Sequence, residues 1–316
     1  MQGIHGIHPP LLAAPAAPAP AGAPALRLGN HSLAYWGQGV RLGLSSLSNA
    51  LFPRTGMIPA AAPGAAGVPG RWQGRLGIVE SVIRPLRANP RMEVVAGCFE
   101  AMLGRGVYDT VHSVGTGGQL VHPFGQSRPP LFDQMCRIGT MNQGVCFSLT
   151  RYWMDSLRTG TTNQFFLDLA QPNSPTAANV IMDQANYHLN HNVLNNVVPP
   201  LPFAVAPGAL MAATTDYPAF AHAFVQELSQ RAAAGPVFAD MRLEGTGAHA
   251  VGIRYEAGRP PGQDTLDFFD PNCGHFSLTA PPGQMGQRFA DFLDDYMQKT
   301  SYCFALKNVS CDGFIQ

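Results

Sequence analysis

The residue with the clearest chemical potential is Cys146, in the run NQGVCFSLTRYWMD from Asn142 to Asp155. A thiol is a useful nucleophile only as thiolate, and a nearby imidazole creates the thiolate by taking the proton. The imidazole in turn needs an acid or an amide to hold its orientation. Both partners occur downstream. GTGAHAVGIRYE sets His249 at the start of a strand-like run, with Gly247, Ala248 and Ala250 leaving room around the ring. TLDFFDPNCGHF sets Asp270 at the end of the next run, with Pro271 and Asn272 in turn positions. Two neighbouring antiparallel strands would bring His249 and Asp270 side by side. A helix beginning at Cys146 would lend its positive end to a thiolate there.

Taken singly, each residue has a plainer role: a small buried hydrophobe, a strand histidine, a turn aspartate. It is the order Cys, His, Asp, in these three settings, that points to nucleophilic acyl chemistry. Other features carry less. His275 is a rival base five residues past Asp270, but its place beyond the turn makes it peripheral. Cys273 lies near the proposed site without the following helix that marks Cys146. His188 and His191 in YHLNHN have HxxH spacing but no carboxylate partner, so a solvated helix is expected rather than a metal site. GTGG, Gly115 to Gly118, lacks the strand, Lys and Ser/Thr context of a phosphate loop.

The elements that must position these residues can be read from periodicity. After Cys146, Leu149, Tyr152, Trp153 and Leu157 share one helical face, and Gly160 supplies a stop. Further helices are expected over Thr176 to Asn195 and over Asp216 to Ala233, where Tyr217, Phe220, Phe224 and Leu228 repeat. Beyond Gly235, PVFADMRLEG, AHAVGIRYEAG and DTLDFFDPN read as short strands separated by Gly and Pro. A last helix, GQMGQRFADFLDDYMQK, leads to SYCFALKNVS, a final strand. Helices first, then an antiparallel sheet with one helix inserted, is an α+β layout.

Composition bounds the rest. The chain has 316 residues, 46% apolar and 13% charged, against about 25% charged in typical globular proteins. Its net charge of zero gives no electrostatic reason to expect nucleic acid or an anionic membrane as partner. Six scattered cysteines with no CxxC pair exclude zinc-finger spacing, and free thiols are expected. No run approaches the roughly 18 apolar residues of a transmembrane helix.

Residues 1–79 are a Pro/Ala/Gly-rich leader expected to be disordered, with Pro59 to Gly70 as a linker. No acid precedes Glu80, whereas Arg27, Arg41, Arg54, Arg71 and Arg75 do. Composition alone leaves an organelle transit peptide, an export region and a tail without an address all open. Residues 80–130 are expected to be a linker or partly helical, broken by Pro85 and Pro90. Residues 131–316 form the expected catalytic domain.

The blocks GVCFSLTRYW, GAHAVGIRY and FFDPNCGHF resemble the YopT/AvrPphB family of bacterial type III effector cysteine proteases. The likeness runs from about Gly139 to the C-terminus. It implies a papain-like fold, a helical half followed by an antiparallel sheet. It implies Cys146 as nucleophile, His249 as general base and acid, and Asp270 as the orienting residue. Papain-like enzymes complete an oxyanion hole with a side-chain amide just upstream of the nucleophile; Gln143 and Asn142 both qualify, with Gln143 slightly favoured. No metal or organic cofactor is implied. The resemblance further implies a protein delivered into a host cell, a host protein substrate such as a small GTPase or a kinase, and a secretion chaperone on the N-terminal region. Gly97-Cys98 resembles a lipidation acceptor, but Ala101 stands where the acylation pattern wants Ser or Thr, so acylation and membrane association are not expected. Deamidation, transglutamination or acyl transfer by the same three residues is the alternative chemistry, since the acceptor that resolves a thioester is set by the pocket.

Overall fold

The computed structural model describes residues 101, 103–109, 111–112, 116–138, 144–194, 205–206, 211–245, 248–300 and 308–315. The leader, Gly97-Cys98 and the amides Asn142 and Gln143 lie outside the described residues, as do the side chains of His188 and His191.

A helical segment at 103–109 precedes strand β1 (Gln119–Pro123). Helices α1 (Leu131–Ile138), α2 (Cys146–Thr159), α3 (Thr162–Leu169) and α4 (Pro175–Leu194) follow. Next come β2 (Val205–Ala206), β3 (Met211–Thr214) and α5 (Tyr217–Arg231). The chain then runs through β4 (Val237–Glu244), β5 (Ala248–Glu256), β6 (Asp264–Asp270) and β7 (Gly274–Ala280), crosses α6 (Met285–Thr300) and ends in β8 (Asn308–Ile315). The sheet order is β1-β7-β6-β5-β4-β8-β2, with β3 also on β8, and these pairings are antiparallel.

The fold is therefore α+β, with two departures from the layout read from sequence. The sheet does not wait for the helices: β1 precedes them and closes the edge against β7. The last strand is Asn308–Ile315, whereas SYCFALKNVS starts at Ser301; residues 301–307 lie outside the described residues. α1, α3, β1, β2 and β3 are not legible in the sequence as elements, and of β7 only the strand position of His275 past the turn is. QLVHP is short and mostly exposed, so it carries no clean alternation.

Strand alternation explains how the sheet divides its two faces. Val251, Ile253 and Tyr255 of β5 join Leu266 and Phe268 of β6 in a core with α5 and α6, through Phe224, Phe289, Phe292 and Tyr296. The opposite face holds Phe238 and Phe269 against Leu149, Trp153 and Met154 of α2 and Val180 and Ile181 of α4. Helix α2 thus buries the Leu149/Trp153 stripe that its spacing predicted, and it stops at Gly160, whose left-handed φ of 71° lets its own N–H reach Leu157 O and the Thr161 N–H reach Ser156 O. Polar links fix α2 on the sheet. Thr150 Oγ1 donates to Ala250 O at 3.4 Å, and Arg151 ion-pairs with Asp240 of β4.

α2 comes close to the sheet at Gly252, where a Cβ would lie 2.7 Å from the Trp153 ring. Trp153 is fully buried and stacks on Phe269 at 5.2 Å, so it has nowhere to retreat. Gly252→Ala is expected to destabilise the fold by about 1–3 kcal/mol, the usual cost of overpacking. Urea unfolding measures it; an unchanged midpoint would mean that α2 is not held against β5 at this point.

Candidate active site

Cys146 is the first residue of α2, at a helix start with no local side-chain cap. Val145 offers no side-chain cap, and the first turn carries no acid, so the helix's positive end stays unneutralised at the thiol. The main-chain N–H groups around it are met by two buried glutamines from elsewhere. Val145 N–H donates to Gln126 Oε1 at 2.9 Å, and Ser148 N–H to Gln184 Oε1 at 3.0 Å.

His249 sits near the start of β5. The β5–β6 register, Gly252 opposite Phe269, runs forward to set His249 level with the turn after Asp270. His249 Nε2 donates to Asp270 Oδ1 at 2.8 Å. That leaves Nδ1 as the ring nitrogen for the Cys146 thiol, which is hydrogen-bonded to His249. The structure thus brings Cys146, His249 and Asp270 together in one chain of contacts. His249 and Asp270 are buried, whereas Cys146 keeps part of its surface open.

The electrostatics follow from these contacts. Burial pushes the Cys146 thiol up, but the hydrogen bond and charge of His249, with the Ala250 main chain, outweigh it and hold the thiol below its ordinary value. Burial alone would lower His249; Asp270 and Cys146 reverse this and raise it to about 10. Asp270 is held below the carboxylate range although burial opposes this, because His249, Tyr296 and the Asn272 N–H all favour its charge. Both shifts favour the thiolate–imidazolium form of the pair over the neutral one.

Asp270 is fully engaged. Oδ1 also accepts the Asn272 N–H at 2.6 Å, and Oδ2 accepts the Tyr296 hydroxyl from α6. That hydroxyl lies 3.2 Å from Cys273 Sγ. Asp270 continues the parity of Leu266 and Phe268, which is why a residue of α6 reaches it. The β6–β7 turn is tight: Cys273 N–H donates to Asp270 O at 3.0 Å, and Gly274 follows at φ 116°. A Cβ on Gly274 would meet His122 O at 2.3 Å, so only glycine lets β1 close against the turn. The segment upstream also braces it, through His112 Nε2 to Cys273 O at 2.7 Å, and it holds the loop after β1 through Arg105 Nε, which donates to Ser127 O at 2.6 Å.

His275 falls elsewhere. It is buried on β7 with Asp267 at 3.3 Å, its ring against Trp153 and Phe166. Cys273 is buried under Tyr296. Among the described residues no group of His, Cys, Asp and Glu is arranged to hold a metal ion. Cys136, Cys146, Cys273 and Cys311 are free thiols. Sequence reasoning missed Gln126, Asn272 as a side chain, and Tyr296. Gln126 stands in a GQSRPP loop that reads only as a turn, and Tyr296 reads only as one more member of an apolar stripe.

No protein-family model and no curated protein matches the chain. Among solved structures it is similar to one titled "Crystal Structure of Pseudomonas Avirulence Protein AvrPphB", with a TM-score of 0.40 and 15% identity over 54% of this chain and 91% of that one. A likeness this distant carries no weight for function, which rests on the residues themselves.

Proposed function

We propose that the protein is a papain-like cysteine protease with Cys146 as nucleophile, His249 as general base and acid, and Asp270 as the orienting acid. The observation that carries the reading is the unbroken chain of contacts from a helix-start thiol through a buried imidazole to a buried carboxylate. Cys146 Sγ adds to a peptide carbonyl carbon, and the developing oxyanion lies at the N-terminus of α2, beside the Cys146 N–H. Collapse expels the amine, which takes the proton from His249. Water, deprotonated by His249, then releases the acyl group and restores the thiolate. Asn142 and Gln143 remain the proposed second donors to the oxyanion. The effector reading, with delivery into a host cell and a host protein as substrate, rests on the three sequence blocks and the acid-poor leader.

The test is a search for new protein N-termini after adding wild-type protein or Cys146→Ala to a eukaryotic cell lysate. Wild type should create discrete new N-termini that Cys146→Ala does not. Equal patterns would overturn the protease assignment. Mass changes without new N-termini would replace it with another thioester chemistry.

A further inference from the structure

Gln126 is buried, and its bonds run in two directions. Its main-chain N–H donates to Pro271 O at 2.6 Å, which pins the loop to the turn after Asp270. Its Oε1 accepts the Val145 N–H at 2.9 Å, and its Nε2 donates to Asn272 Oδ1, also at 2.9 Å. Asn272 Nδ2 then lies 3.2 Å from His249 Nε2.

Side-chain amides can turn over, so their polarity has to be argued. Here the main chain decides it. The Val145 N–H can only donate, so the oxygen of Gln126 must face it. The nitrogen of Gln126 therefore faces Asn272, which must present its oxygen. That leaves the Asn272 NH2 facing His249. Nε2 consequently has an acceptor on one side, Asp270 Oδ1, and a donor on the other.

We infer that Gln126 is a positioning residue that acts through Asn272. By locking the Asn272 amide with its NH2 toward His249, it leaves Asp270 rather than Asn272 as the acceptor for the Nε2 proton, which fixes the plane of the ring. A donor against Nε2 also opposes the charged imidazolium, so His249 gives up its proton to a leaving amine more readily than the Asp270 contact alone would allow. The same side chain holds the residue before Cys146, so the thiol and its base are set by one amide. The significance for catalysis rests on the protease reading; the geometry does not.

The groups that bear on His249 are Cys146 from α2, Asp270 from β6 and, through Asp270, Tyr296 from α6. Gln126 and Asn272 are neutral, so Gln126→Met changes no charge. It removes the lock, and Asn272 is free to turn its oxygen to the imidazolium. Asn272→Ala removes the opposing donor from the other end. Both are made in a Cys146→Ala background with ¹⁵N-labelled histidine, and the His249 ring is titrated by NMR beside a thermal midpoint.

The expected result is an upward shift of the His249 midpoint by about one pH unit in each folded variant. A midpoint unchanged in either folded variant overturns the inference, whatever its thermal stability, since a merely structural role lowers the melting point without moving the titration. Should Gln126→Met not fold, Asn272→Ala alone decides. Because the thiol is absent throughout, a failure here is separate from a failure of the protease reading, which alkylation of Cys146 in the otherwise wild-type protein decides.

Discussion

His249→Ala is expected to slow alkylation of Cys146 at pH 5 by about 10–100-fold, the largest effect of any single change outside Cys146 itself. The size follows from ionisation. A thiol at its ordinary value of about 8.5 is thiolate in about one molecule in 3,000 at pH 5. Cys146 beside the His249 imidazolium is held below its ordinary value and keeps more. Part of the gain is returned, since a thiolate of lower basicity is a weaker nucleophile. In the variant the helix N-terminus of α2 remains, so some depression persists, but the counter-charge is gone. The measurement is the rate of iodoacetamide labelling against pH, with the modified peptide identified by mass. Identical profiles for wild type and variant would show that the thiol and the imidazole do not form an ion pair.

Asp270→Asn is expected to remove the slope of stability above pH 6.5, and to cost about 3–5 kcal/mol at neutral pH by breaking a buried pair. His249 is raised, to about 10, so its contribution is complete below its ordinary value of about 6.5 and is lost as pH rises toward the folded value. Asp270 has the opposite sign. Its folded value is depressed, so its contribution is present above about 3.9 and is lost as pH falls below that. The thiol also titrates in the alkaline window, with a depressed value and therefore an opposing slope. The comparison is made with Cys146→Ala in both proteins. Urea midpoints from about pH 6.5 to 10 should then fall with pH when Asp270 is present and stay level when it is not. Parallel curves would mean that some other group holds the His249 proton.

How much of this was legible in the sequence differs by element and by residue. Helix α2 and strands β4 to β6 could be read because each carries its own signal: a 3.6-residue apolar stripe ending at Gly160, or a short β-rich run between turns. Cys146, His249 and Asp270 stood out because residue type, neighbouring small residues and a Pro-Asn turn are local facts. Gln126 has no such signal. Its role depends on which loop the β1–β7 pairing brings beneath Val145, and that pairing joins distant parts of the chain. Tyr296 is similar: periodicity says that it is buried, but not that its hydroxyl meets Asp270 across the core. The exposed character of β1 hid the one strand that sets the height of the Gln126 loop.

That pairing has a consequence for the order in which the molecule becomes competent. Leu120 lies opposite Phe276, and Asp270 is hydrogen-bonded by Tyr296, so parts that frame Cys146 are translated well after it. A nascent chain ending within β6 already carries the thiol and the imidazole, but neither the strand that seats the Gln126 loop nor the hydroxyl that completes the carboxylate. Pairings of such long range form late in folding. Synthesis therefore delivers Cys146 and His249 before the residues that hold their partners in place.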